Sequence, residues 1–284
     1  MLKLQHPPSM ADLEEQYLLV ASLQDLAGKT IIDSLRSDFG FVQEDDRNIL
    51  RSPDFANVRL FVTQENLLHQ EGLDRQFPGA STFVFLSKHK SDSKIPTLTC
   101  HSTGNFGANP YGGNSKEIAI AFPSLQKSYL KGLTASSDRL PDYEIAIEAT
   151  HHGPTSLRKP LLFVELGSSE KQWGDRSAAS IMCGVVLEVI RQGPERCRKV
   201  GIGLGGTHYP SKFNRLLLES ELGLAAIASK HNLESIDIEM LNQMISKSVE
   251  KVTTIVLDGR GLGSQKDRIM GLVERSGLEI LNLK

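Results

Sequence analysis

The segment EATHHGPTS, Glu148 to Ser156, sets one carboxylate and two imidazoles within five residues. Imidazole is a good zinc ligand, and a carboxylate beside it either ligates or acts as a general base, so this composition suits metal-assisted hydrolysis. The segment ends the apolar run YEIAIEA (143–149). Ligands of open α/β sheets bind outside the carboxyl ends of strands, so Glu148, Thr150, His151 and His152 are delivered where sites form. A turn whose histidines merely cap the next segment would look the same, and other segments must decide.

Three of them carry suitable chemistry. In LTCHSTGNFG, His101 is trailed by Ser102, Thr103, Gly104 and Asn105, neutral donors and acceptors suited to a carbonyl or ribose, although an ordinary surface loop shares that composition. In GIGLGGTHYPSKFNR, a strand ends at Gly205 and Gly206 and is followed by Thr207, His208 and Tyr209, so the glycine amides can cradle an oxyanion or phosphate. In VELGSSEKQWGD, Glu165 ends a buried run and can complete a metal shell or orient an imidazole, while Trp173 either stacks a base or packs. His89 lies among Lys88, Lys90 and Lys94, a basic loop that either meets phosphate or is simply solvated, as is RQGPERCRK farther on. His6, His69 and His231 have no chemical neighbourhood.

Other machinery is excluded. No GxSxG elbow, Walker A loop or HExxH helix is present. Gly201, Gly203 and Gly206 spell GxGxxG, but the first two fall inside a strand and Pro210 interrupts the helix start, so the string is not a dinucleotide fingerprint.

These residues need a scaffold. Strands are predicted at 17–23, 58–62, 82–87, 143–149, 161–166, 199–205 and 253–259, with a weaker one at 225–229. Helical spacing covers 25–37, 176–191, 236–251 and 264–275. Alternating strands and helices, with nearly continuous apolar strands such as LLFVEL, imply a three-layer α/β/α sandwich around a mixed, largely parallel sheet. Ser87 to Gly113 reads as a long irregular loop, of the kind that is usually functional or disordered.

Composition bounds the rest. With 284 residues, 39% hydrophobic and 23% charged, the chain is globular. Its net charge of -2 and pI near 6.5 rule out a global polycation, so RNA would have to meet a local patch. Three scattered cysteines, Cys100, Cys183 and Cys197, form neither a disulfide framework nor a zinc knuckle, and are expected to be reduced, as in the cytoplasm. No apolar run is long enough for a membrane span, and no signal peptide is evident. Residues 1–10 read as an extended leader, and 11–284 as a single α/β catalytic domain.

Taken in order, HSTGN (101–105), EATHHGP (148–154), FVELGSSEKQW (163–173) and GIGLGGTHYPSKF (201–213) resemble the D-aminoacyl-tRNA deacylase family of archaea and plants. The similarity runs from about Tyr17 to the C-terminus. It implies an enzyme that hydrolyses the ester between a D-amino acid and tRNA, a translation quality-control step, with Zn2+ as cofactor and a phosphorylase/hydrolase-like fold.

Carried onto this sequence, the resemblance implies a metal set of His101, His152, His208, Glu165 and His89, with Glu148 and His151 catalytic. Thr150 and Thr207, with the Gly205 and Gly206 amides, are then the candidates for holding the oxyanion. Ser102, Thr103, Asn105, Trp173, Lys88 and Lys90 are expected to contact substrate. The partner is D-aminoacyl-tRNA, and the assembly a monomer or small homo-oligomer.

Two rival readings use the same residues. A zinc exopeptidase or amidohydrolase would cleave dipeptides and not D-aminoacyl-tRNA. A non-catalytic tRNA-binding module would bind tRNA tightly without turnover.

Overall fold

The computed structural model describes residues 16–44 and 48–283; the stretch read as a leader and His6 lie outside them. In chain order the first half comprises β1 (Tyr17–Ser22), α1 (Leu26–Phe39), β2 (Val42–Gln43), β3 (Ile49–Arg51), β4 (Val58–Thr63), α2 (Leu73–Gln76), β5 (Thr82–Lys90), β6 (Thr97–His101), β7 (Gly104–Asn105), β8 (Glu117–Ile118) and α3 (Pro123–Ala135). The second comprises β9 (Glu144–Ile147), β10 (Leu161–Ser168), α4 (Glu170–Trp173), α5 (Arg176–Gln192), β11 (Lys199–Leu204), α6 (Ser211–Glu219), β12 (Leu222–Ala228), α7 (Ile238–Ser246), β13 (Thr254–Asp258), α8 (Lys266–Glu274) and β14 (Glu279–Leu283).

The anticipated mixed, largely parallel sheet is present as eight strands in the order β2-β3-β4-β1-β5-β10-β6-β9. Its centre, β4, β1, β5 and β10, is parallel, whereas β6 runs against β10. A second sheet, β12-β11-β13-β14, is parallel throughout. The periodicity of the predicted strands carries no sign of this partition, because hydrophobic alternation reports burial and not partner.

Strands buried along their whole length need cover on both faces. Every residue of β1 and β10 is buried. On one face Leu19, Ala21, Val84, Leu86, Leu162 and Val164 pack under α1, α3 and α5. On the other, Leu18, Val20, Phe83, Phe85, Leu161 and Phe163 meet Leu67 and Leu73, so short helix and loop cover this side. Each such valine, leucine or phenylalanine side chain contributes about 1.5–3 kcal/mol of burial. Helices α3 and α6 touch both β9 and β12, which joins the two sheets.

Helix boundaries follow their caps. Asp25 accepts from Gly28 N at the start of α1, and Gly40 ends it with φ 67°. Asp175 caps α5 in the same way. Helices α3 and α6 and the single-turn α2 and α4 escaped the periodicity reading, and α7 stops at Ser246, short of the predicted 251.

The region 87–113 departs from its reading as loop. Strand β5 continues to Lys90 and β6 occupies 97–101, so His89 and His101 stand on strands. Polar composition suggested a loop, but backbone pairing to β10 satisfies these amides whatever the side chains are.

Candidate active site

Side chains alternate across a strand, and directly paired residues share a face. In register, Ser87 pairs Glu165 and Gly167 pairs His89 along β5 and β10, while Phe163 pairs His101 across to β6. His89, Glu165 and His101 therefore occupy one face, at the carboxyl end of β5 and β10. Phe85, Phe163 and His101 stack along it, with ring centroids 4.6 Å and 5.5 Å apart. Cys100 pairs Ile147 on the opposite face, so the residue that follows β9, Glu148, falls on the histidine side. Gly167 is required here: a Cβ would lie 2.3 Å from the His89 carbonyl oxygen.

The loop after β9 adds His151 and His152, the latter with φ 44°, a conformation seldom adopted outside glycine. The loop after β11 adds His208. The second sheet clamps the first loop: Ala149 N donates to His208 O at 2.8 Å and Thr150 N to Ile227 O at 2.9 Å. The site thus sits where the two sheets meet, in a cleft of about 490 Å³. A hollow of about 550 Å³ between α3 and α5 is lined by no histidine.

Within the cleft, His208 Nε2 donates to Glu148 Oε2 at 2.7 Å. His89 Nδ1 lies 3.2 Å from Glu148 Oε1 and 3.4 Å from Glu165 Oε2, and its Nε2 donates to Tyr209 Oη at 3.0 Å. His101 Nε2 is 3.6 Å from Glu165 Oε1, beyond hydrogen-bond reach. The Nδ1 groups of His101, His151 and His152 donate to the carbonyls of Ser102, Ala149 and Gly153 at 3.2, 2.8 and 2.7 Å.

Protonation follows from these contacts. Burial works to depress His89, but hydrogen bonds to Glu148 and Glu165 outweigh it and raise its pKa to about 10. Burial also opposes charge on His101, and Glu165 prevails to hold it above the ordinary value. Burial dominates for His152, which falls well below the histidine range. His151 keeps 30% of its side chain exposed, yet its enclosure by neighbours and the charge of His101 push it down to about 4. Glu148 and Glu165 resist burial through their histidine partners and stay below the usual carboxylate range. Two buried carboxylates are thus balanced by two charged imidazoles, and two imidazoles stay neutral.

The donor set fits a metal. Ligand atoms of His101, His151 and His152 all lie within 4.8 Å of one another, as do those of Glu148, His151 and His208, and those of His89, Glu148 and Glu165. The Nδ1 groups of the first three are tied to carbonyls, the arrangement that leaves Nε2 as the ligating atom. Buried His101 Nε2 has no hydrogen-bond partner, as befits an atom free to ligate.

A family model described as D-aminoacyl-tRNA deacylase matches residues 77–281. The chain belongs to the D-aminoacyl-tRNA deacylase family. A D-aminoacyl-tRNA deacylase of Thermococcus onnurineus (strain NA1) is 33% identical over 272 residues, 93% of this chain and 98% of its own length. That of Cenarchaeum symbiosum (strain A) is 41% identical over 203 residues, 70% of this chain and 77% of its own. Among solved structures, a conserved protein of unknown function, AF0625, superposes with a TM-score of 0.85 at 28% identity, covering 94% of this chain and 95% of that one.

In this member of the deacylase family, seven of the residues singled out from sequence converge: His89, His101, Glu148, His151, His152, Glu165 and His208. Lys88 and Lys90 line the same cleft. The neutral donors go elsewhere. Thr103 Oγ1 donates to Pro154 O at 2.5 Å, Asn105 Nδ2 to Gly112 O at 2.8 Å and Ser102 Oγ to Gln126 Oε1 at 3.2 Å, all buried. They hold loops under the site and not a ligand. Thr150 Oγ1 accepts from Ile227 N, and Thr207 Oγ1 donates to Tyr209 O.

Gly205 N is bound to Ala228 O, and Gly206 and Thr207 line a different hollow, so the expected oxyanion cradle does not face the histidines. Trp173 packs: its Nε1 donates to His89 O at 2.8 Å and Lys88 Nζ lies 5.7 Å from its ring. The sequence reading gave no role to two tyrosines at this deacylase fold's site. Tyr209 bonds His89, and Tyr111, 66% exposed, stands at the cleft. Tyr209 follows His208 directly, which was the available signal; Tyr111 had none beyond its glycine-rich loop.

Proposed function

We propose that this chain hydrolyses the ester joining a D-amino acid to tRNA in the cytoplasm, at the histidine-lined cleft, with zinc held by His101, His151 and His152 and with Glu165 and His89 alongside. The observation that carries the reading is the convergence of three carbonyl-tethered imidazoles, of which His151 also neighbours the ionised Glu148 that is hydrogen-bonded to His208. Family membership supports the substrate. No helix among the described residues is long and apolar enough to cross a membrane.

The chemistry such a set gains from bound zinc is Lewis acidity, which makes water nucleophilic near neutral pH. Glu148, kept ionised by His208 and His89, accepts a proton from the attacking water at Oε2. The water oxygen joins the acyl carbon, the bond from that carbon to the ribose oxygen breaks, His208 gives its Nε2 proton to the departing ribose oxygen, and Glu148 returns the proton taken from water to Nε2. His208 suits this role because 42% of its side chain is exposed while its partner is buried. His89 remains charged and pins both carboxylates, and Tyr209 and Trp173 fix its position from either end.

The test is deacylation of D-tyrosyl-tRNA and L-tyrosyl-tRNA by protein before chelation, after chelation and after zinc is restored. Loss and recovery of D-specific turnover is expected. Full activity in the metal-free protein would overturn the zinc assignment, and hydrolysis of dipeptides without D-aminoacyl-tRNA turnover would overturn the substrate.

A further inference from the structure

The hollow that takes Gly206 and Thr207 away from the histidines has chemistry of its own. It measures about 250 Å³ and is lined by Thr207, Lys212, Lys230, Asp258 and Arg260. Its parts come from three neighbouring parallel strands of the second sheet. Thr207 follows β11, Lys230 follows β12 and Arg260 follows β13, so the hollow lies at their carboxyl ends, where α/β sheets bind ligands.

Backbone approach sets its shape. Gly205 and Gly206 have φ of 100° and 79°, and a Cβ on Gly261 would lie 2.2 Å from Gly206 N. The β11 and β13 loops therefore meet main chain to main chain, which holds Arg260 beside Thr207. Lys230 N donates to Gly206 O at 2.8 Å and anchors the third loop.

Charge decides the ligand. Three cations face a single carboxylate, and Asp258 is engaged by Lys212 at 2.8 Å. Lys230 and Arg260 are exposed, and among the described residues neither side chain has an ion-pair or hydrogen-bond partner in the structure. Unpaired cations around a concave polar hollow are complementary to phosphate. The wall is shared with the catalytic cleft, because Thr207 lines one and His208 the other.

We infer that this hollow is a phosphate subsite for the RNA backbone of the substrate, with Lys230 and Arg260 holding a phosphate while the acylated end of the same strand lies at His208. The inference rests on the proposed deacylase activity. It places the RNA anchor on the second sheet and the chemistry on the first, with the loop 205–209 as the link between them.

The experiment compares wild type with the K230A/R260A double variant on D-tyrosyl-tRNA and on D-tyrosyl-adenosine, which lacks backbone phosphate, and measures binding of uncharged tRNA across a salt series. The expected result is a KM for D-tyrosyl-tRNA raised roughly tenfold, as two exposed contacts would give. The salt dependence of tRNA binding should fall by roughly two in its log–log slope. The rate on D-tyrosyl-adenosine should stay unchanged, and the K230R/R260K variant should bind tRNA like wild type.

An unchanged KM and salt slope overturn the subsite. So does equal loss on both substrates, which marks a structural role. Saturable binding of inorganic phosphate that the double variant abolishes, without any change in tRNA binding, assigns the hollow to a free phosphate and overturns the RNA reading. Failure of wild type on both esters would refute the deacylase reading instead, while salt-dependent tRNA binding weakened by the double variant would still uphold the subsite.

Discussion

Glu148 and His208 lie 60 residues apart in sequence, yet Oε2 of one and Nε2 of the other are 2.7 Å apart. The pair spans the junction of the two sheets, because Glu148 follows β9 and His208 follows β11. A buried carboxylate is thereby joined to a half-exposed imidazole, which lets a proton pass between the interior and the cleft.

Removing that relay should leave the fold and impair chemistry. H208A is expected to lower kcat on D-tyrosyl-tRNA by on the order of 100- to 10,000-fold, with little change in melting temperature, since His208 is at the surface of the cleft. Wild-type turnover by H208A would remove it from the mechanism. E148Q should lose as much activity and also destabilise the site, because His89 and His208 then face a neutral amide.

The three carbonyl-tethered imidazoles predict a metal dependence that can be read without any assay of activity. H101A, H151A and H152A should each lower the zinc retained after gel filtration, measured by elemental analysis, while H69A should retain it fully. Stoichiometric zinc in all three variants would remove the set as ligands.

Gly167 gives a purely steric prediction. A methyl group there would meet the His89 carbonyl oxygen at 2.3 Å and the His89 Cβ at 2.5 Å, neither of which can swing away. G167A should destabilise the protein by about 1–3 kcal/mol and displace the strand that carries His89. An unchanged denaturation midpoint would show that β5 and β10 have slack here.

Trp173 is a hydrogen-bond donor to the His89 carbonyl, so W173F isolates that bond while keeping most of the packing. About 1 kcal/mol of stability should be lost, together with a fall in kcat and little effect on KM. A rise in KM with unchanged kcat would instead mark the indole as a substrate contact.

Metal-free protein should lose stability as pH falls from about 6.5 to 4. The pKa of His151 is depressed to about 4 and that of His152 also lies below its ordinary value. In that window the unfolded chain binds protons that the folded chain refuses, so each group contributes a loss of about 1.4 kcal/mol per pH unit. His89 acts at the other end: its pKa is raised, so its contribution is complete below 6.5 and disappears as pH rises through about 10. Calorimetry of wild type against H152Q should show a shallower acid slope in the variant; parallel slopes would contradict a buried neutral His152.

The fold class and most of the site residues were legible in the sequence because both depend on local pattern. Strand alternation marks burial one residue at a time, and EATHHGP concentrates ligands within a few residues. The deacylase motifs likewise sit on short contiguous segments. His89 and His101 were identified as chemical residues but placed in a loop, because polar residues at a strand end carry no local sign of backbone pairing. The neutral donors Ser102, Thr103 and Asn105 had the right composition for substrate contacts and proved to be occupied by an amide of α3 and by carbonyls of neighbouring loops.

What the sequence determined alone was the inventory: an α/β chain carrying histidines and carboxylates at strand ends. Which of them meet was decided by register and by the junction of two sheets. Those are pairings between segments far apart in the chain, and a residue's type does not specify its partner. Gly205, Gly206 and Thr207 show the consequence, since one residue before His208 the same loop turns its wall towards a different, basic hollow.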